Sequence, residues 1–113
     1  MSSDVRRLQD ILLCINKIEN YSKKGRKIFN ENELIQIYFT YHLQIIGEAA
    51  RALSDELRKK FSQIDWHEIV GMRNVIVHQY LDIDLDEVWN TIRKDIPKLR
   101  EEIVTILRSL KSR

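Results

Sequence analysis

The chain is poor in the residues that break or staple a backbone: 113 residues hold one cysteine, one proline and three glycines. A lone Cys14 cannot form an internal disulfide. Its setting in Ile11-Leu12-Leu13-Cys14-Ile15 is that of a small buried hydrophobe in a reducing compartment. Long apolar runs are missing too, because charges interrupt each one well short of the roughly 18 residues a membrane span needs. With no signal-peptide pattern either, the expectation is a soluble, cytoplasmic protein. Charge of one sign is also lacking, since 19 basic residues face 17 acidic ones for a net of +2. That balance excludes a domain that holds nucleic acid by a uniformly basic surface, so any such contact must be local. No stretch alternates apolar and polar residues between turn signals, which argues against a sheet. Internal repeats and low-complexity segments are absent.

What is present reads as helix. Apolar residues recur at steps of three and four from Val5 through Leu8, Ile11, Leu12, Ile15 and Ile18 to Tyr21, predicting a first helix that Gly25 stops. Asn30 with Glu33 has capping-box spacing and predicts the start of a long second helix. Leu34, Tyr38, Tyr41, Ile45, Ala49 and Leu53 are its expected inward face, and its expected end is near Lys59 or Lys60. Gly47 weakens that helix by roughly 1 kcal/mol against alanine, and close packing against a neighbour is the best reason for it. Asp65 with Glu68 opens a third, shorter helix carrying Ile69, Met72, Val75 and Ile76, and Asp84 with Glu87 opens a fourth. Along the fourth, Leu85, Trp89, Ile92, Ile96, Leu99, Ile103, Ile106 and Leu110 form a heptad seam. The seam is longer than one core-facing helix needs, so part of it is expected to meet a second copy. Pro97 lies within this helix and predicts a kink near Lys94. The expectation is a single domain over residues 1–113, an all-α antiparallel helical bundle that forms a homodimer.

The chemistry concentrates in Arg73-Asn74-Val75-Ile76-Val77-His78-Gln79-Tyr80. A guanidinium, an amide, an imidazole and a phenol within eight residues can grip a phosphate and move a proton beside it. On a regular helix Asn74 and His78 share a face, whereas Arg73 points roughly 140° away from His78 at about 100° per residue. The long arginine stem can cover that offset. Arg-x4-His alone is a weak pattern, satisfied in many helical proteins by ordinary salt bridges. His42 and His67 have no second imidazole or cysteine at metal-ligand spacing and read as structural. Trp66 and Trp89 read as core or interface anchors, and Tyr38 and Tyr41 as part of the inward stripe. The basic cluster Lys23, Lys24, Arg26 and Lys27 is a place where RNA could lie, and Arg58, Lys59 and Lys60 form a second. Either is more ordinarily a solvated surface.

Asn74 and Tyr80 sharpen the pattern. Arg-Asn-x-x-x-His-x-Tyr preceded by Gly71-Met72, with Ile46-Gly47-Glu48-Ala49-Ala50 in the second helix and a tryptophan in the helix leading to the motif, resembles the HEPN superfamily and specifically the HepT-like ribonuclease toxins. The resemblance covers most of the chain. It implies a helical homodimer whose two motifs face each other across a cleft, cutting RNA without metal or cofactor. By that resemblance His78 is general acid or base at the ribose 2′-hydroxyl or the leaving oxygen, Arg73 stabilises the phosphorane and Asn74 orients them. Glu48 is a supporting residue, either paired with an arginine such as Arg73 or simply solvated. It also implies a minimal nucleotidyltransferase antitoxin that adenylylates Tyr80, placing an anionic, bulky group in the RNA cleft. The module would be a toxin–antitoxin pair of type II or type VII. A rival reading keeps the fold without catalysis: a helical nucleotide-binding or adaptor subunit that docks a minimal nucleotidyltransferase. A DNA-binding helix-turn-helix protein fits poorly, because no helix combines an exposed basic face with base-reading side chains.

Overall fold

The structure, a computed structural model, describes residues 2–75 and 83–111, all of it helix and connecting turns. Helix α1 spans Ser2–Ser22 and stops, as the sequence predicts, where Gly25 takes a positive φ of 95°. Left-handed backbone of this kind is open to glycine without steric penalty. A short helix α2, Arg26–Glu31, follows and drops Phe29 into the core between Phe39 and Trp89, with ring centroids 5.4 and 5.2 Å away.

Helix α3 spans Glu33–Arg51 and its cap is Asn32, not Asn30. The Asn32 side chain accepts from the Ile35 backbone N–H at 3.1 Å, while Asn30 lies inside α2 and its carbonyl accepts from Gln36 Nε2 at 3.1 Å. Two asparagines two residues apart both offer cap spacing, and only the one with extended backbone (φ −125°, ψ 101°) can use it. The inward face is corrected in the same sense. Ile35, Phe39, Leu43, Ile46 and Ala50 point into the core, whereas Leu34 is 78% and Tyr41 58% exposed. Two apolar stripes run side by side on α3, and periodicity does not say which one faces in.

The long second helix is also divided. It ends at Arg51, and Ser54 caps a separate α4, Asp55–Lys60, by accepting from the Leu57 N–H at 3.1 Å. The break satisfies a buried carboxylate: Asp4 of α1 is 2% exposed and accepts from the Ser54 N–H at 2.9 Å and the Ser54 Oγ–H at 2.6 Å. The α4 terminus at Lys60 agrees with the predicted end.

Helix α5, Trp66–Val70, is capped by Asp65, which accepts from the Glu68 N–H at 3.0 Å. It continues as a 3₁₀ turn over Gly71–Val75, where the sequence predicts α-helix. Trp66 is buried, and its indole N–H donates to the Phe61 carbonyl at 3.1 Å. Helix α6, Leu85–Asn90, is capped by Asp84 as predicted. A π-helical turn over Thr91–Asp95 then leads into α7, Ile96–Lys111. Pro97 sits just past that turn, so the irregularity expected near Lys94 takes the form of a widened turn that absorbs the missing N–H.

The α6–α7 seam lies inside the fold. Trp89, Ile92, Ile96, Leu99, Ile103 and Ile106 are all less than 9% exposed, in one core with Leu8, Ile11, Ile15 and Ile18 of α1. The expectation that this seam presents a surface to a second copy is therefore overturned: α1 and α3 already cover it. Helix α1 lies antiparallel to α3, with Tyr21 edge-on to Tyr38 at 5.0 Å and Arg7 across a groove from Glu48 and Ala49.

Candidate functional site

Arg73 owes its position to a glycine on a different helix. A Cβ placed on Gly47 of α3 would stand 2.8 Å from the Arg73 backbone nitrogen, 2.8 Å from the Val70 carbonyl oxygen and 2.9 Å from the Arg73 Cβ. Real Cβ atoms do not approach backbone so closely, so glycine is what lets α3 and the α5–3₁₀ segment touch main chain to main chain. The predicted close packing at Gly47 is thus found, and its neighbour is the segment that carries the motif. Ile69 and Met72, 4% and 3% exposed, anchor that segment from beneath. Arg73 is left half-buried and Asn74 exposed.

The 3₁₀ geometry changes the angular argument. With about three residues per turn, Arg73 and Asn74 project roughly 120° apart, so the 140° offset reckoned for a continuous α-helix does not apply to this segment. His78 and Tyr80 lie outside the described residues. Glu48, next to Gly47, is exposed and makes no ion pair with Arg73; its Oε1 accepts from Gln44 Nε2 at 3.4 Å.

The electrostatic surroundings are uneven. On the side of Met72 facing α7, Asp65, Glu68, Asp95 and Glu102 line a narrow crevice with Lys98. Burial pushes the Glu102 carboxyl up, Lys98 pulls it back, and the nearby Glu68 and Asp65 charges push it further up. Anionic chains are repelled there, which leaves the α3 side of Arg73 as the approach. In the first basic cluster, Arg26 pairs with Asp86 and Lys24 lies 5.9 Å over the Tyr21 ring. In the second, Arg58 pairs with Asp55 at 2.9 Å.

His42 is a core residue, as predicted. It is 6% exposed, its Nδ1 is 2.7 Å from the Tyr38 carbonyl oxygen, and it packs between the Tyr38 and Tyr41 rings at 4.2 and 5.2 Å. Cys14 is buried, and that burial raises its thiol. His67 is exposed. Among the described residues no group of three or more histidine, cysteine, aspartate or glutamate side chains is arranged to hold a metal ion. None of their helices is long and apolar enough to cross a membrane.

A further feature was not read from the sequence. Between α1 and α3 opens a groove of about 410 Å³, walled by Leu13 and Tyr41 and rimmed by Arg7, Lys17, Asp10 and Glu48. The only signal for it is the second apolar stripe of α3, which was mistaken for the inward one.

The family profile described as Ribonuclease HepT-like matches residues 11–106. The chain belongs to this HepT-like family. The match runs from α1 through α7 and takes in Arg73, Asn74, His78 and Tyr80. The HepT-like chain is 35% identical over 97 residues to a protein of Methanocaldococcus jannaschii provisionally named as an RNase, covering 85% of this chain and 89% of that one. It is 32% identical over 97 residues to a Thermococcus cleftensis protein named as a probable ribonuclease HepT, covering 82% and 86% respectively. A third relative, also from Methanocaldococcus jannaschii, carries a name that joins γ-glutamylcyclotransferase to a provisional RNase. It is 38% identical over 112 residues, which is 97% of this chain but only half of that protein's length. No solved structure gives a significant match.

Proposed function

We propose that this single-domain, HepT-like chain is a cytoplasmic, metal-independent endoribonuclease that acts as the toxin of a type II or type VII toxin–antitoxin module and works as a homodimer. The observation that carries the reading is the backbone contact at Gly47. It holds Arg73 half-buried and without an ion pair among the described residues, on a segment whose family pairs it with His78. A guanidinium held in this way is prepared for an anion, since neither a carboxylate nor side-chain freedom competes strongly for it.

In the proposed reaction one His78 imidazole takes the proton of a ribose 2′-hydroxyl. The 2′-oxygen attacks the adjacent phosphorus, the 5′-oxygen leaves with a proton from the second copy's imidazole, and the products are a 2′,3′-cyclic phosphate and a 5′-hydroxyl. Arg73 stabilises the charge that develops on the phosphorane, and Asn74 fixes the imidazole or the scissile oxygen. Glu48 has a supporting part as the polar neighbour of the Gly47 contact. A partner nucleotidyltransferase antitoxin silences the enzyme by transferring AMP from ATP to the Tyr80 phenol oxygen, with pyrophosphate leaving.

The test is incubation of the purified protein with RNA in excess chelator, beside His78→Ala and Arg73→Ala. Cutting by wild type that both variants lose supports the proposal. Silence from all three forms refutes it and favours the adaptor reading. Co-expression with the antitoxin should add one AMP mass to wild type and none to Tyr80→Phe.

A further inference from the structure

The large apolar side chains left in solvent are all on one side of the molecule. Among the described residues, Leu13 (53% exposed), Tyr21 (40%), Ile28 (42%), Leu34 (78%), Ile37 (49%) and Tyr41 (58%) come from α1, α2 and α3, and none from α4 to α7. Scattered singly, such residues need no explanation, but these are continuous. The rings of Tyr21, Tyr38, His42 and Tyr41 touch in sequence, and Ile28 and Leu34 flank Tyr21 and Tyr38 around a hollow of about 390 Å³ beside the α1–α3 groove. At roughly 150–200 Å² per fully exposed side chain, these exposures amount to about 500–600 Å², the upper end for a patch on a monomer. With its half-buried flanks the face approaches the roughly 800 Å² per partner of a standard protein interface.

We infer that this α1–α3 face, and not the α7 seam, is where a second copy of the chain docks, with Leu34 and Tyr41 as its anchors. Three properties select that occupant. The face carries both knobs (Leu34, Tyr41) and holes (the two hollows), as a two-fold interface requires of a single surface. Its stripe of Leu34, Tyr38, Tyr41 and Ile45 has the three- and four-residue spacing by which paired helices interlock. The rim charges alternate in sign, Arg7 and Lys17 against Asp10 and Glu48, so a two-fold copy can pair them, whereas a phosphate chain or an anionic membrane calls for one sign.

Docking here also bears on the site. Gly47, the residue that holds Arg73, is six positions along α3 from Tyr41, a rise of about 9 Å. A two-fold axis through the α3 face therefore brings the Arg73 segments of both copies to one groove. The inference deepens the ribonuclease proposal by assigning its partner surface, and depends on that proposal only for the RNA readout below.

The experiment is sedimentation velocity of the full chain with Leu34→Glu, Tyr41→Glu and a Thr105→Glu control on α7, each checked by circular dichroism. Wild type and the control should sediment at twice the 13.5 kDa chain mass, and the two face variants should weaken association by roughly 30-fold or more while keeping helical content. Because both side chains already stand in solvent in the single chain, loss of fold is not the expected outcome. A monomeric wild type, or a dimer indifferent to both substitutions, overturns the inference. RNA cleavage measured on the same samples separates the two claims. A dimer sensitive to Tyr41→Glu but inactive on RNA upholds this face and refutes the ribonuclease, while cleavage by a monomeric wild type does the reverse.

Discussion

Replacing Gly47 with alanine sets two effects of opposite sign against each other. Alanine in a helix interior is favoured over glycine by roughly 1 kcal/mol, so propensity alone predicts a more stable protein. The added methyl, however, would lie 2.8 Å from the Arg73 nitrogen and 2.8 Å from the Val70 carbonyl oxygen. These are main-chain atoms of a segment pinned by buried Ile69 and Met72, so relief requires the whole turn to retreat by several tenths of an ångström. Overpacking of this kind costs about 1–3 kcal/mol, and against rigid backbone the upper part of that range applies. The net expectation is a loss of about 1–2 kcal/mol, or a fall in Tm of roughly 4–8 °C for each kcal/mol in a domain of this size. Since the retreating turn carries Arg73, chelator-resistant RNA cleavage should fall by about 100-fold, the scale of an ångström-level misplacement at a phosphoryl-transfer centre. Thermal melts by circular dichroism and single-turnover cleavage on the same preparation check both parts. A higher Tm for Gly47→Ala with full cleavage would refute the claim that this contact positions the motif.

The buried Asp4 should set the acid limb of stability. Burial alone raises its carboxyl, but the two Ser54 hydrogen bonds and Arg7 outweigh that and hold it below the usual aspartate value. A depressed folded pKa gives stability that is present above about pH 4 and drains away as pH falls through the folded value. Urea melts should therefore show Ser54→Ala less stable than wild type by about 1–3 kcal/mol at pH 7, with the gap narrowing toward pH 2. Glu102 has the opposite sign: its raised carboxyl favours the fold while protonated and loses that advantage as pH rises through the folded value. Glu102→Gln should melt higher than wild type at pH 7 and equal to it near pH 3. Arg100 bonds Glu19 and Asn16 of α1, yet the Arg100 and Glu19 side chains are 33% and 34% exposed, so Arg100→Ala should lower stability by no more than about 1 kcal/mol in a denaturant titration.

Signals written within a few residues were readable from the sequence alone. Gly25 stops α1, Asp65 and Asp84 cap their helices, and Pro97 marks the irregular turn before α7. Gly47 also announced a close approach, though not what approached. Readings that depended on distant partners went astray. Ser54 breaks the second helix because Asp4, fifty residues earlier, needs its two donors, and nothing near Ser54 in sequence says so. On α3, Leu34 and Ile35 belong to neighbouring apolar stripes, and only the placement of α1 and α7 decides that Ile35 turns inward. For the same reason the α7 seam, the stronger heptad, proved to be core, while the weaker stripe on α3 remained in solvent. At the candidate site the sequence identified Arg73 and Asn74 as neighbours on one segment but assigned that segment α-helical geometry. Its 3₁₀ form reflects the backbone contact at Gly47, again a tertiary constraint.

The central claim, that a guanidinium held against Gly47 serves metal-independent cleavage of RNA, is tested most directly by the ends of the products. RNA incubated with wild-type protein in excess chelator should yield fragments ending in 2′,3′-cyclic phosphate and beginning with 5′-hydroxyl, at a rate that Arg73→Lys lowers by about 100-fold or more because lysine cannot offer the bidentate fork. Fragments with 5′-phosphate ends, cleavage that appears only on adding a divalent cation, or an Arg73→Lys rate equal to wild type would contradict the account.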